Sequence, residues 1–281
     1  MSAATPILRC GGQSLDLTRP QVMGVLNVTP DSFSDGGRYA SLAAAVAHGV
    51  RLAEEGAAVI DVGGESTRPG AAPVSVDEEL ERVVPVIERL RAATAAIVSV
   101  DTSKPQVMRA AADAGAGLIN DVRALGEPGA LEAAAGTGCA VCLMHMQGQP
   151  RTMQQQPRYD DVVAEVRAFL AARLAAARAA GVAADQLLVD PGFGFGKTLA
   201  HNLTLLRHLR ELAALDAPLA VGLSRKALIG TLTGRSAAER VPGSIALAVL
   251  AVAGGARLVR AHDVAATVDA LKVTAAVIGG E

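Results

Sequence analysis

The chain has 281 residues, of which 51% are hydrophobic, and a formal net charge of −2 at pH 7. Such a chain can bury a large core, and its near-neutral charge gives no electrostatic reason to expect nucleic-acid binding. No apolar stretch approaches the roughly 20 residues that a transmembrane helix needs. The first residues, MSAATPILRCGG, lack the basic-then-apolar pattern of a signal peptide. We therefore expect a cytoplasmic protein without nucleic-acid or membrane partners, forming a single domain over residues 1–281.

Eight apolar, strand-like runs follow one another along the chain, and each ends in a polar residue. The runs are VMGVLNV, AVIDVGG, IVSVDTS, GLINDVR, AVCLMHM, LLVDPGF, LAVGLSR and RLVRAHD. The polar residues at their ends are Asn27, Asp61, Asp101, Asn120, His145, Asp190, Ser224 with Lys226, and Arg260 with His262.

Helical stretches are predicted between these runs. They are Leu42–Glu55, Val76–Ala93, Pro105–Ala114, Gly129–Ala135, Asp161–Ala180, Leu203–Leu215, Gly243–Ala253 and Val264–Ile278. Eight strand-helix units favour an α/β fold with a single (β/α)8 barrel, although an open doubly wound sheet shares the same alternation. A closed barrel would gather the eight strand ends on one face, where such barrels build their active sites.

Two of the predicted strand-to-helix loops, residues 29–38 and 63–73, are long and rich in Gly, Pro, Ser and Thr. Loops of this kind in compact domains are usually lids or binding loops. Three of the four Phe residues, Phe33, Phe193 and Phe195, fall in loops after strands. Aromatic rings at a barrel mouth favour a flat ligand that stacks on them.

The segment DPGFGFGKT (190–198) resembles two phosphate-binding motifs but satisfies neither. A Walker A loop needs Gly where Pro191 stands, and no frame of the segment gives G-x-G-x-x-G. We expect an exposed Gly-rich turn that brings the backbone close to a ligand, with Asp190 pointing into the barrel mouth.

Asp101, Asn120 and Asp190 come from three different strand ends. Each one alone could cap a loop, since Asp and Asn favour turns. Together they match the edge of an aminopyrimidinone, because a carboxylate accepts two N–H bonds and an Asn side chain both donates and accepts.

A second set, Asn27, Arg68, Arg260 and His262, suits a phosphorylated ligand. Arg binds phosphate oxygens bidentately, and the Asn27 oxygen is a candidate ligand for Mg²⁺, which takes few protein contacts beside substrate phosphates. The alternative is that Arg260 and His262 cap the last helix.

Four other residues, Cys139, Cys142, His145 and Asp61, have structural interpretations. Cys139 and Cys142 form a C-x-x-C inside a strand, where residues three apart face opposite sides, so we interpret them as buried hydrophobes. His145 fits a packed, hydrogen-bonded core residue better than a ligand. A buried ion pair or a loop anchor is as good an interpretation of Asp61 as a catalytic role.

The chain resembles the dihydropteroate synthases in eight blocks that occur in order along nearly its whole length. The blocks are GVLNVTPDSFSDGG (24–37), IDVGGESTRPGA (60–71), SVDTSKP (99–105), INDVRAL (119–125), MHMQG (144–148), DPGFGFGKT (190–198), GLSRK (222–226) and RAHDV (260–264). The resemblance implies a barrel, usually a homodimer, that joins (7,8-dihydropterin-6-yl)methyl diphosphate to 4-aminobenzoate and releases pyrophosphate, with Mg²⁺ as cofactor.

By motif position the resemblance also implies roles for individual residues. The pterin-binding set is Asp101, Asn120, Asp190 and Lys226. The diphosphate and Mg²⁺ set is Asn27, Arg68, Arg260 and His262. The aminobenzoate pocket and its lids comprise Phe33, Asp35, Thr67, Arg68, Pro69, Phe195 and Ser224. The catalytic set is Lys226, Asp101, Asp190, Arg260 and His262.

One position departs from the family pattern. Ala227 stands where many members carry Ser, whose hydroxyl can reach the aminobenzoate carboxylate; the backbone N–H of residue 227 could serve if it opens a helix. Two alternatives remain open. A pterin-binding methyltransferase domain would not need the DSFSDGG and STRPG loops, and a non-catalytic paralogue would be expected to lose a diphosphate or lid residue.

Overall fold

Eight parallel strands close into a barrel, in which the last strand, Ala256–Ala261, lies between Leu219–Gly222 and Gln21–Asn27 and the others are neighbours in chain order. The computed structural model describes residues 7–29, 37–66, 73–149 and 152–279. Its strands are β1 (Ile7–Cys10), β2 (Gln13–Asp16), β3 (Gln21–Asn27), β4 (Val59–Gly63), β5 (Ile97–Asp101), β6 (Leu118–Asp121), β7 (Ala140–Met144), β8 (Leu187–Asp190), β9 (Leu219–Gly222) and β10 (Ala256–Ala261). The predicted (β/α)8 barrel is therefore confirmed, and the open sheet is excluded.

Helices surround the barrel. They are α1 (Gly37–Glu54), α2 (Val76–Ala93), α3 (Pro105–Asp113), α4 (Ala130–Thr137), α5 (Val162–Ala179), α6 (Leu199–Arg207), α7 (Leu209–Ala213), α8 (Ala227–Thr233), α9 (Val241–Ala253) and α10 (Val264–Gly279). Within the described ranges no helix combines the length and apolar character that a bilayer crossing requires.

The helices differ from the predicted ones mainly at three places, the first of which is α1, which begins five residues before the predicted Leu42. The predicted helix Leu203–Leu215 is two helices: α6 begins earlier, at Leu199, because the Thr198 hydroxyl caps it by accepting from the His201 N–H, and the chain breaks at His208 before α7. Helix α8 was not predicted, because its seven residues carry no recognisable period.

The barrel interior changes from apolar to polar towards the C-terminal ends of the strands. Side chains alternate across a strand, so Val59 and Asp61 of β4 face the same side, as do Leu258 and Arg260 of β10. Val59 and Leu258 belong to an apolar inner cluster, whereas Asp61 is a completely buried carboxylate. The apolar layer thus supports a polar layer beneath the barrel mouth.

The antiparallel hairpin β1–β2, which was not predicted, covers the opposite end of the barrel. Its apolar side chains, Leu8, Cys10 and Leu15, join the inner cluster with residues of the barrel strands. Cys142 of β7 and Cys139, the residue before this strand, are both buried and face opposite sides, as expected. Cys142 belongs to the inner cluster and Cys139 to the core between barrel and helices.

Candidate active site

Polar side chains from neighbouring strands form a row at the barrel mouth. Asn27 pairs in register with Gly63, Gly63 with Asp101, and Asp101 with Asn120. Gly63 leaves a gap in this row: a Cβ there would lie 3.7 Å from Asn27 Oδ1 and 3.8 Å from Asp101 Oδ2. The predicted gathering of Asn27, Asp101 and Asn120 is therefore observed.

Asp61 is the hub beneath this row. Its Oδ1 accepts from Ser99 Oγ at 2.6 Å, and its Oδ2 accepts from Asn120 Nδ2 at 3.0 Å and from Arg260 Nε at 2.6 Å. Because the carboxylate is completely buried, these donors replace the water that it would otherwise bind. The buried ion pair that the sequence offered as one interpretation of Asp61 is observed.

Arg260 connects Asp61 to the row above. Its Nη2 donates to Asp101 Oδ2 at 3.0 Å, so one guanidinium bridges two carboxylates. Although burial opposes the charge, Asp61 and Asp101 raise the pKa of Arg260 above its ordinary value. The side chain predicted to bind diphosphate is thus held in place from below.

Asp101 and Asp190 are buried carboxyl groups at the mouth, 8% and 7% exposed. Burial raises the pKa of Asp101 to about 7, assisted by the Asp61 carboxylate and opposed by Arg260. Burial also raises the pKa of Asp190, opposed by Lys226 and by the Gly192 N–H, which donates to Asp190 Oδ1 at 2.7 Å. Both groups favour a ligand that brings N–H donors or positive charge.

Asn120 lies between these carboxyl groups and Asp61, and is 7% exposed. Its Nδ2 donates one of its two N–H groups to Asp61, so the carbonyl oxygen and the second N–H are what it can offer to a ligand. Two carboxylates and an amide oxygen together form an acceptor-rich edge.

Lys226 lies beside the ring of Phe195, with its Nζ 4.7 Å from the ring centroid. The ammonium also donates to the Phe193 carbonyl. Burial lowers the pKa of Lys226 to about 8, while Asp190 opposes that shift. The expected grouping of Lys226, Asp190 and Phe195 is therefore present.

Ser224 and His262 are in hydrogen-bond contact. The Ser224 Oγ accepts from the His262 backbone N–H at 3.2 Å and lies 3.0 Å from His262 Nδ1. The next residues along each loop are also paired, since Arg225 Nε donates to Asp263 Oδ2 at 3.0 Å. Arg225 has a positive φ of 57°, an uncommon conformation for a residue other than Gly. These contacts tie the loops after β9 and β10 together.

The Gly-rich segment after β8 is far less exposed than predicted. Phe193 is completely buried in the core and Lys197 is 3% exposed, so neither lies at the mouth. Phe195 alone of these three is partly exposed. The expectation of an exposed loop with two Phe rings that stack on a ligand is therefore wrong, because the Phe193 side chain packs in the hydrophobic core.

His145 is buried, as the sequence suggested, and its ring packs edge-on against Phe169 with centroids 4.8 Å apart. Its Nδ1 lies 2.9 Å from Lys197 Nζ. Burial, and then the Lys197 charge, lower the pKa of His145 to about 3.

Among the described residues, no cluster of three or more His, Cys, Asp or Glu side chains could hold a metal ion by itself. The Asn27 Oδ1 atom borders the gap at Gly63. Mg²⁺ prefers such hard oxygen donors and keeps several waters beside substrate phosphates. Asn27 therefore fits the cation that the sequence led us to expect.

Five predicted residues lie outside the described ranges. They are Phe33 and Asp35 of the first loop and Thr67, Arg68 and Pro69 of the second. Their assignment to the aminobenzoate pocket, its lids and the diphosphate site stays a prediction.

Sequence reasoning missed Ser99, Lys197 and Arg225, which hold other site residues in place. A signal existed for Ser99: it lies two residues before Asp101 on β5 and therefore faces the same side of the strand. Arg225 and Lys197 act through hydrogen bonds between loops, and the sequence carries no pattern that pairs those loops.

The chain matches the sequence model of the protein family described as "Pterin binding enzyme" over residues 23–262. The dihydropteroate synthase of Escherichia coli (strain K12) is 56% identical over 270 residues, covering 96% of each chain. That of Haemophilus influenzae is 52% identical over 95% of this chain and 97% of its own.

Solved structures give the same result. Dihydropteroate synthase of Xanthomonas albilineans with 4-aminobenzoic acid has a TM-score of 0.93 and 59% identity, covering 99% of this chain and 100% of that one. The same enzyme in complex with 7,8-dihydropteroate has a TM-score of 0.90 and 57% identity, covering 98% and 100%. The chain belongs to the pterin binding enzyme family, and within it to the dihydropteroate synthases.

Proposed function

We propose that the protein condenses (7,8-dihydropterin-6-yl)methyl diphosphate with 4-aminobenzoate to give 7,8-dihydropteroate and pyrophosphate. One observation carries this proposal: Asp101, Asn120, Asp190 and Lys226, from four strand ends, meet at one mouth. The relatives named above are dihydropteroate synthases over nearly their full length.

The acceptor-rich edge binds the pterin. The Asp101 and Asp190 carboxylates accept N–H groups of the aminopyrimidinone ring, and the Asn120 oxygen accepts another. Each acceptor is at least nine-tenths buried, so a ligand without matching donors would leave it unpaired. Lys226 lies beside the pterin ring, and its positive charge balances the negative charge of Asp190.

The aminobenzoate lies beside Phe195 and Ser224. The sequence assigns Phe33, Asp35, Thr67, Arg68 and Pro69 to its pocket and lids, and these residues lie outside the described ranges. Helix α8 begins at Ala227, so the backbone N–H of that residue has no partner within the helix. This N–H is available to the aminobenzoate carboxylate, for which the Ser hydroxyl of other members is missing here.

The diphosphate binds to Arg260 and His262, with Arg68 from the second loop. Mg²⁺ held by Asn27 would supply charge neutralisation on the leaving diphosphate. Replacing Asn27 by Ala should raise the Mg²⁺ concentration needed for half-maximal activity, whereas Asn27→Asp, which keeps an oxygen ligand, should not. An unchanged Mg²⁺ dependence in Asn27→Ala would remove this residue from the cation site.

The protein's residues favour a route in which the diphosphate leaves before the arylamine attacks. Asp101 and Asp190 stabilise positive charge spread over the dihydropterin, and Arg260 with His262 stabilises the charge that gathers on the departing diphosphate. An arylamine is already nucleophilic, so no side chain needs to act as a base. Positional isotope exchange in the diphosphate without aminobenzoate tests this route; its absence, with the chemistry shown to be reversible, would argue for direct displacement.

A single assay tests the activity itself. Purified protein with both substrates and Mg²⁺ should release pyrophosphate and form 7,8-dihydropteroate, and omission of either substrate should abolish product formation. Pterin binding without turnover would instead indicate a binding paralogue, and methyl transfer would indicate a methyltransferase domain.

We also infer a homodimer. Exposed apolar side chains lie on α9 and on the outer face of α10: Leu250, Val273, Val277 and Ile278 are 55–77% exposed. Such a patch is typical of an interface, and a second copy presenting the same patch would bury it symmetrically. Val277→Asp should shift the mass in light scattering towards the monomer, whereas Ile7→Asp, at the opposite end of the barrel, should not. A monomeric parent protein would contradict this inference.

The cytoplasm is the location that we propose. The three cysteines are buried and free, which agrees with a reducing compartment.

A further inference from the structure

Five successive carbonyl groups in the segment Gly192–Gly196, the β8 loop, all accept hydrogen bonds from side chains. Lys197 Nζ donates to the carbonyls of Gly192 and Phe195, each at 3.0 Å. The Phe193, Gly194 and Gly196 carbonyls accept, in order, from Lys226 Nζ, Gln154 Nε2 and Tyr159 Oη. A surface turn would leave such carbonyls to water, so this loop is built to be held in one conformation.

Lys197 is the residue that takes two of the five carbonyls. Its third contact is His145 Nδ1, at 2.9 Å. The neutral imidazole accepts, because burial and the Lys197 charge keep the pKa of His145 at about 3. Burial lowers the pKa of Lys197 to about 7, and the nearby Asp190 carboxylate opposes that shift. In the ammonium form all three N–H groups have acceptors, which is what a side chain that is 3% exposed requires.

The loop is also pressed closely against the chain that follows β7. A Cβ on Gly192 would lie 1.9 Å from the His145 carbonyl oxygen, and one on Gly196 would lie 2.3 Å from that of Gln147. Both glycines have positive φ. The loop therefore approaches the chain after β7 too closely for a side chain at either glycine.

The two lysines hold the loop from two sides. Lys226 contacts the Phe193 carbonyl and the Phe195 ring on the substrate side, while Lys197 holds the Phe195 carbonyl on the buried side. Releasing Lys197 would free the Phe195 backbone and with it the Phe195 ring.

We propose that Lys197 is a positioning residue for the aminobenzoate subsite: it fixes the β8 loop so that the Phe195 ring meets the second substrate. This inference rests on the proposed function. Lys197 contacts neither substrate; it acts through Phe195. Asp190 belongs to β8 itself, so the pterin edge depends less on this contact.

The test compares steady-state kinetics of the unaltered protein with those of Lys197→Met, which keeps the apolar length and removes the three donors. The KM for aminobenzoate should rise at least about 10-fold, since small misplacements of a substrate-positioning group have effects of this size or larger. The KM for the pterin diphosphate should change much less. Lys272→Met, at an exposed lysine on α10, serves as the matched control and should match the parent.

If Lys197→Met does not fold, His145→Leu removes only the third acceptor and should shift the same KM in the same direction by a smaller factor. Equal changes in both KM values, or none in a folded variant, would overturn the inference and leave the proposed function intact. Lack of turnover in the unaltered protein would overturn both.

Discussion

Arg260 Nε donates to Asp61 Oδ2 at 2.6 Å, joining the last strand of the barrel to the second. The two residues are 199 positions apart in the chain. Asp61 is completely buried, and Arg260 reaches upward from it to Asp101. This ion pair therefore couples the closure of the barrel to the shape of the site at its mouth.

Removing the Asp61 carboxylate should destabilise the protein strongly. Asp61→Ala leaves Arg260, Ser99 and Asn120 without their shared acceptor, and breaking a buried ion pair costs about 3–5 kcal/mol. Urea unfolding followed by circular dichroism measures the change. Asp185→Ala, which breaks the exposed pair with Arg9, is the control and should alter stability little; similar losses in both variants would contradict the assignment of Asp61 as the hub.

Activity should depend on pH through two groups with shifted pKa values. The Asp101 carboxylate, with a pKa of about 7, is lost as the pH falls through 7, and the Lys226 ammonium, with a pKa of about 8, is lost as the pH rises through 8. A plot of kcat/KM against pH should therefore be bell-shaped, with its maximum between these values. In Lys226→Arg the fall in kcat/KM on the alkaline side should move to higher pH, because a guanidinium keeps its charge. If the alkaline limb stays at the same pH, a group other than Lys226 causes it.

The two Phe residues of the β8 loop should give opposite phenotypes. Phe193→Ala empties a completely buried site and should cost about 3–5 kcal/mol of stability. Phe195→Ala should leave the unfolding midpoint nearly unchanged while raising the KM for aminobenzoate, since the ring contacts Lys226 at the mouth. Thermal unfolding and kinetics on the same preparations separate the two effects, and a reversed pattern would refute the distinction.

Ala227→Ser should restore the hydroxyl that other members carry at the first residue of α8. One added hydrogen bond contributes about 1 kcal/mol, which corresponds to a roughly five-fold lower KM for aminobenzoate. Ala227→Val adds bulk without a donor and should not lower that KM. Equal values in the Ser variant and the parent would place the carboxylate away from this residue.

Much of the fold could be predicted because eight strand ends and their spacing repeat one pattern. The position of Asn27, Asp101, Asn120 and Asp190 followed from that topology alone, since parallel strands in a barrel end on one face. Helix α8 was not predicted, because a seven-residue helix has too few turns to show a helical period of apolar residues.

The roles within the site were harder to predict than its location. The sequence showed that Arg260 and Asp61 are strand-end residues, but their pairing depends on which strands become neighbours across the barrel. Phe193 and Phe195 stand two residues apart in one loop, yet one packs in the core and the other reaches the mouth. Such differences depend on backbone conformation at Gly192 and Gly194, both at positive φ, which composition does not reveal.

Turnover of Lys226→Ala is the most direct measurement of the central claim, that residues from separate strands build one site for both substrates. Lys226 contacts the loop after β8 and lies beside Asp190, so its loss affects both parts of the site. We predict that dihydropteroate formation falls by at least about 100-fold, while Lys272→Ala on α10 retains the parent rate. Activity of Lys226→Ala within a few-fold of the parent would contradict the account.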